Sequence, residues 1–180
     1  MAGDGRIRLF CALQLPAAAL DRIAAWQDAE LHGAPARLVP RESLHVTLAF
    51  LGGRPADEVP VVAAALRSAA GSAPAVELRP AGYRETRGVG MILLEDVAGS
   101  GAALAADLGE RLQAIGVYRR ERRPWLAHLT VLRFRERPRL QPAAPPEGNI
   151  RSVRCALYRS SLGPGGARYD VLESVALGGR

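Results

Sequence analysis

The chain has 180 residues, 48% apolar and 23% charged, and carries a formal net charge of +6. That length and apolar share can build a buried core, in one domain or two tightly joined lobes, and argue against disorder. All 24 basic residues are arginine, so a nucleotidyl-lysine ligase, a Walker-type phosphate loop and a Schiff-base enzyme are excluded, each for want of its lysine. No apolar run reaches the roughly 18 residues of a membrane span. Residues 1–8 carry no secretory apolar segment, so the expected location is the cytoplasm. Cys11 and Cys155 lie in apolar stretches, which predicts packed thiols rather than a disulfide framework or a thiolate metal cluster.

Residues 6–15 read as a strand closed by Pro16. Residues 16–32 read as a helix, with Pro16 suited to its first turn and Gly33 to its end. A loop through Pro40 leads to a predicted strand at 44–51, and 56–70 reads as a second helix with Asp57 and Glu58 in its first turn. Strands follow at 76–83 and 90–97, then a helix at 99–115 and a strand at 125–134. A proline-rich loop over 138–146 precedes two strands, 150–160 and 169–177, joined as a hairpin by Gly163-Pro164-Gly165-Gly166.

The two halves repeat an order of strand, helix, and strand carrying His-x-Thr. Phe10 precedes His45 by 35 residues and Ile92 precedes His128 by 36, which suggests a duplicated unit. The expectation is an α+β fold with two similar lobes of antiparallel sheet. Arginines concentrate at 119, 120, 122, 123, 133, 135, 137 and 139, around His128, as either a solvated basic face or a patch that gathers phosphate.

Side chains alternate along a strand, so His45 and Thr47 share one face while Leu44, Val46 and Leu48 form the other. His128 and Thr130 do the same against Ala127, Leu129 and Val131. Each strand thus offers an imidazole and a hydroxyl about 7 Å apart, a span suited to one phosphate. Two such pairs arise by chance in roughly one sequence of this composition in a thousand. Imidazoles with ordinary pKa values near 6.5 can serve as base and acid at once, as in-line displacement at phosphorus requires. The hydroxyls can hold nonbridging oxygens, and Arg133 extends the cationic contact. His32, near a helix end, lacks such a partner and reads as a dipole-compensating residue.

The segments RLFCALQLP (8–16), SLHVTLAFLG (43–52) and RPWLAHLTVLRF (123–134) resemble the signature of the 2H phosphoesterase superfamily. Within it the chain is most similar to the RNA 2′,3′-cyclic phosphodiesterases, also called 2′-5′ RNA ligases, over essentially its whole length. The resemblance implies a bilobal pseudo-twofold fold with a central cleft, a single domain of two intertwined lobes, and hydrolysis to a 2′-phosphomonoester with no metal or other cofactor. It implies that His45 donates a proton to the leaving 3′ oxygen and His128 accepts one from water. Thr47, Thr130 and Arg133 would hold the phosphate, and Phe10 would stack on a base. Relatives often have proline where this chain has Ala127.

The expected partners are RNA ends or nucleotide cyclic phosphates, met by a monomer that needs neither metal nor membrane. Alternatives are action on a metabolite such as an ADP-ribose cyclic phosphate, ATP-independent 2′-5′ joining, and a non-catalytic RNA-binding module. A metal hydrolase is disfavoured, because no Asp, Glu or Cys adjoins either pair on its strand face.

Overall fold

The computed structural model describes residues 5–163 and 166–178. Apolar stretches bounded by proline and glycine become strands: β1 (Arg6–Gln14), the short β2 (Arg37–Leu38), β3 (Val46–Pro55), β4 (Val76–Glu85), β5 (Val89–Asp96), β6 (His128–Arg133), β7 (Ile150–Ser152), β8 (Arg154–Gly163) and β9 (Gly166–Ala176). The helices are α1 (Ala17–Glu30), α2 (Val59–Ser72) and α3 (Ser100–Ala114). Pro16 stands at the start of α1 and Pro60 in the first turn of α2, where a missing N–H costs nothing.

Two antiparallel sheets result, one ordered β3-β1-β8-β9 and the other β2-β6-β5-β4-β7. This is the expected α+β fold of two lobes. Both sheets pack on one cluster of buried side chains that includes Leu13, Leu66, Leu108, Leu129 and Leu157. On α2 the buried face is Val62, Ala63, Leu66, Ala69 and Ala70, and on α3 it is Leu104, Leu108 and Leu112, the three- and four-residue spacings of one helical stripe. The helices tie the lobes together. Linking β5 to β6 of the second sheet, α3 packs against β3 of the first. In return α1, which follows β1 of the first sheet and precedes β2 of the second, sends the buried Gln27 amide to the backbone carbonyls of Val39 at 3.1 Å and of Val131 in β6 at 2.8 Å.

Several sequence readings are corrected. The strand expected over 150–160 is two strands in different sheets: β7 pairs with β4, β8 pairs with β1, and the chain crosses between lobes at Val153. Buried Ser152 fixes the crossing by donating to the carbonyl of Gln14 at 2.8 Å, with the carbonyl of Arg154 at 3.0 Å. The strand expected over 125–134 begins only at His128, and that expected over 44–51 begins at Val46 and runs on to Pro55. A 3-10 turn, Ala56–Glu58, stands where the second helix was expected to start. The matched spacings of 35 and 36 residues are not the structural equivalence. Register aligns Leu13 opposite Val46 with Ile92 opposite Leu129, separations of 33 and 37. Duplication holds for order and pairing, while the connections differ in length. At the final hairpin, β8 and β9 pair up to Gly163 and Gly166, and the central Pro164 and Gly165 lie outside the described residues.

Candidate active site

The alternation expected around each histidine is present. Leu44, Val46 and Leu48 are buried while His45 and Thr47 are half-buried, and Ala127, Leu129 and Val131 are buried while His128 and Thr130 are half-buried. β3, which begins immediately after His45, and β6, which begins at His128, come from different sheets and lie in contact.

Each imidazole is tied to its own backbone in the same way. Nδ1 of His45 lies 2.7 Å from the carbonyl oxygen of Ser43, and Nδ1 of His128 lies 2.8 Å from that of Leu126. A carbonyl only accepts, so Nδ1 carries the proton in both rings and Nε2 is left for chemistry. Burial pushes His45 down to about 4 against the pull of its Ser43 bond, and the charges of Arg133 and His128 push the same way. At neutral pH the free protein therefore holds His45 uncharged.

Arg133 reaches this site through a bulge. Five residues separate it from His128, and strict alternation would send the two to opposite faces. Thr130 pairs with Met91 and Leu132 with Gly90, so Val131 is an extra residue and the strand's facing is reset. The first lobe contains the same device: Ala12 pairs with Thr47 and Cys11 with Ala49, which leaves Leu48 extra. Five residues after His45 the equivalent of Arg133 is therefore Phe50. It is 51% exposed, with the Arg8 guanidinium 5.8 Å from its ring centroid. Sequence reading missed Phe50, although consecutive apolar residues, Leu48-Ala49 and Val131-Leu132, mark both bulges.

Phe10 lies beneath the first histidine and is only 3% exposed. Its ring centroid is 4.8 Å from that of His45, 4.9 Å from Tyr158 in a stacked pair, and 5.0 Å from Tyr169 edge-on. Tyr169 also meets His45 edge-on at 5.2 Å. With its surface already occupied, Phe10 supports the imidazole and has no face to offer a base, contrary to the sequence expectation. Tyr158 and Tyr169 come from β8 and β9, so nothing in the sequence near His45 announces them. Trp125 links the lobes. Its indole Nε1–H donates to the carbonyl of Thr47 at 2.9 Å, and its ring lies on Gly101 in the first turn of α3, where a β-carbon would collide with it. Ala127 engages Leu94 N–H through its carbonyl at 2.9 Å, a bond that proline would also accept.

The arginine cluster divides. Arg120 pairs with Glu110 on α3, while Arg133, Arg135 and Arg137 line a cavity of about 790 Å³ with Arg37. Both cysteines are buried and free, and burial pushes Cys155 up to about 11 and Cys11 further still. Among the described residues no group of three or more His, Cys, Asp or Glu converges as a metal site, and no helix is long and apolar enough to cross a membrane.

Residues 15–148 match the family model described as the 2′-5′ RNA ligase superfamily. The chain belongs to this superfamily. It is 33% identical to the RNA 2′,3′-cyclic phosphodiesterase of Thermus thermophilus, over 96% of this chain and 91% of that relative. The crystal structure of TT0787 from Thermus thermophilus superposes with a TM-score of 0.82 at 27% identity, covering 96% of this chain and 99% of that one. Escherichia coli LigT complexed with 3′-AMP superposes at 0.81 and 27% identity, over 96% and 98%. Its kinship is thus with the 2H phosphoesterases, and the likeness spans both lobes.

Proposed function

We propose that this 2H phosphoesterase hydrolyses RNA 2′,3′-cyclic phosphate ends to 2′-phosphomonoesters with His45 and His128 as its acid and base. The observation that carries the reading is the twofold repetition of one device. Two imidazoles from two sheets each have Nδ1–H held by a backbone carbonyl two residues earlier, and each has a half-buried threonine two residues later. A histidine that served only packing would have no need of a second copy at the same bulged register.

Water attacks phosphorus and gives its proton to Nε2 of His128. The bond from phosphorus to O3′ breaks, and Nε2–H of His45 protonates O3′, leaving the phosphate on O2′. The threonine hydroxyls of Thr47 and Thr130 and the guanidinium of Arg133 hold the nonbridging oxygens as charge accumulates. His45 must first gain a proton. An anionic phosphate beside it offsets the charge of Arg133 and raises its proton affinity, so that a strong acid forms where the leaving oxygen needs one. Phe10, Tyr158 and Tyr169 keep that ring in place, and Phe50 offers an exposed aromatic face to the base.

The chain is read as a single cytoplasmic, monomeric domain that needs no metal. The deciding experiment incubates the full chain with an oligoribonucleotide ending in 2′,3′-cyclic phosphate in the presence of excess chelator and identifies the product. A 2′-phosphate is expected. A 3′-phosphate would reverse the leaving group, and loss of turnover in chelator would require a metal. Unchanged turnover in both His45→Ala and His128→Ala would take the acid and base roles away from the histidines, and binding of the oligonucleotide with no turnover by the wild type would leave the protein a binding module.

A further inference from the structure

We infer that the open face of the first sheet holds the penultimate nucleotide of the RNA, its base on Tyr169 and the phosphate that joins it to the reactive nucleotide on Arg8. The inference rests on the function proposed above and adds a second nucleotide to it. Register fixes which side chains share this face. Phe50 pairs with Phe10, Phe10 with Tyr158 and Tyr158 with Val171, one row across all four strands. Thr47 opposite Ala12 lies on the His45 side of that row. On the other side the next row is Gly53, Arg8, Ser160 and Tyr169, and Leu162 opposite Ala167 follows it.

Charge divides between the two faces of this sheet by the same alternation. Its four strands contain two acids, Asp170 and Glu173, and both belong to the opposite face, where Asp170 pairs with Arg159 at 2.8 Å and Glu173 with Arg67 of α2. The face that carries Phe10 receives no acid from these strands and three arginines. Arg6 donates to the Gly53 carbonyl, Arg154 to the hydroxyl and carbonyl of Ser174, and Arg8 lies over the Phe50 ring; among the described residues none of the three pairs with a carboxylate. A face sorted in this way suits a polyanion.

The face is also open where it leaves the reaction site. Leu162 is 74% exposed and Val171 50%, while Ser160 and Tyr169 are half-buried. Phe10 and Tyr158 stack on each other, whereas Tyr169 meets Phe10 and His45 edge-on and stacks on no ring among the described residues. Phe50 and Tyr169 stand on the two edge strands, about 14 Å apart at the backbone by three interstrand spacings. They offer two stacking positions, and Arg8, on the strand next to Phe50, lies between them. The contact of Tyr169 with His45 makes the second position continuous with the reaction site. Aromatic rings and an unpaired arginine on one sheet face are what single-stranded RNA takes up with its bases and backbone.

The test measures binding of a nucleoside 2′-phosphate and of a dinucleotide ending in 2′-phosphate. The dinucleotide is expected to bind about 5- to 150-fold more tightly, the worth of one stacked base, and to lose most of that gain when its first residue lacks a base. Between 50 and 200 mM salt its affinity should fall about 2.6-fold further than that of the mononucleotide, for one more phosphate contact, and Arg8→Gln should abolish that difference. Leu162→Glu puts an acid on this face and should lower the preference for the dinucleotide. Ser161→Glu puts the same charge on the opposite face one residue away and should leave the preference as in the wild type. Equal affinities for the two ligands, or equal losses in Leu162→Glu and Ser161→Glu, overturn the inference, as does a dimer of the chain that Leu162→Glu dissociates. Turnover of a mononucleoside 2′,3′-cyclic phosphate is measured alongside. Its absence defeats the proposed function, while the binding ratios still decide whether the face takes a second nucleotide.

Discussion

A carbonyl oxygen has no proton to give, and from that single fact the tautomers of His45 and His128 follow: Nδ1–H to Ser43 and Leu126, Nε2 free for the substrate. Substituting either histidine by alanine should lower kcat/KM by roughly 10² to 10⁴. The double variant should lose little more than the worse single one, because base and acid act in one step. The displaced pKa of His45, about 4, belongs to the free protein. With His45 required protonated and His128 unprotonated, the limbs of kcat/KM belong to the pair: the acid limb should fall only toward pH 4, and an acid limb near 6.5 would contradict the neutral ring. Stability carries the same signature. Between about 4 and 6.5 the unfolded chain binds more protons than the folded one, so stability is lost as pH falls through that window. Urea titrations of wild type and His45→Gln should differ in slope against pH there and run parallel above it.

At the scale of elements, the paired bulges in β3 and β6 decide what each strand presents. They put Arg133 five residues after the second histidine and Phe50 five residues after the first, at equivalent points past the two bulges, where the proposed function has one hold the phosphate and the other stack on the base. Phe50→Ala should raise KM for a nucleotide substrate by about 5- to 150-fold with kcat nearly unchanged, since stacking of one base is worth about 1 to 3 kcal/mol and holds no reacting atom. Arg133→Ala should lower kcat as well. Trp125→Phe removes the indole N–H bond to the Thr47 carbonyl and keeps most of the packing on Gly101. It should cost about 1 kcal/mol in chemical denaturation. Its effect on turnover should fall on kcat, because Thr47 is held from the other lobe.

Across the whole molecule, the lobes are joined by α3, which packs against β3 of the other sheet, by α1, whose Gln27 reaches Val131 in β6, and by the crossing at Val153. Leu108, fully buried on α3, lies in the cluster both sheets share. Leu108→Ala should destabilise the chain by about 2 to 5 kcal/mol in a single transition read by denaturant. Separate transitions for the two lobes would mean that the shared cluster does not couple them.

The sequence by itself determined the class of fold, the three helices, most strands and both His-x-Thr faces, because each depends on periodicity within a few residues. Fully buried apolar runs such as Leu9 to Leu13 and Leu129 with Val131 and Leu132 declare themselves in the same way. Tertiary structure alone decided that one apolar run, 150–160, serves two sheets, because local pattern cannot say which neighbour a strand will pair with. It also decided the fate of the aromatics. Phe10 is covered by Tyr158 and Tyr169 from the far end of the chain, and Phe50 is left bare. Exposure is set by what packs on a residue from distant sequence, whereas alternation is set by the residue's own strand.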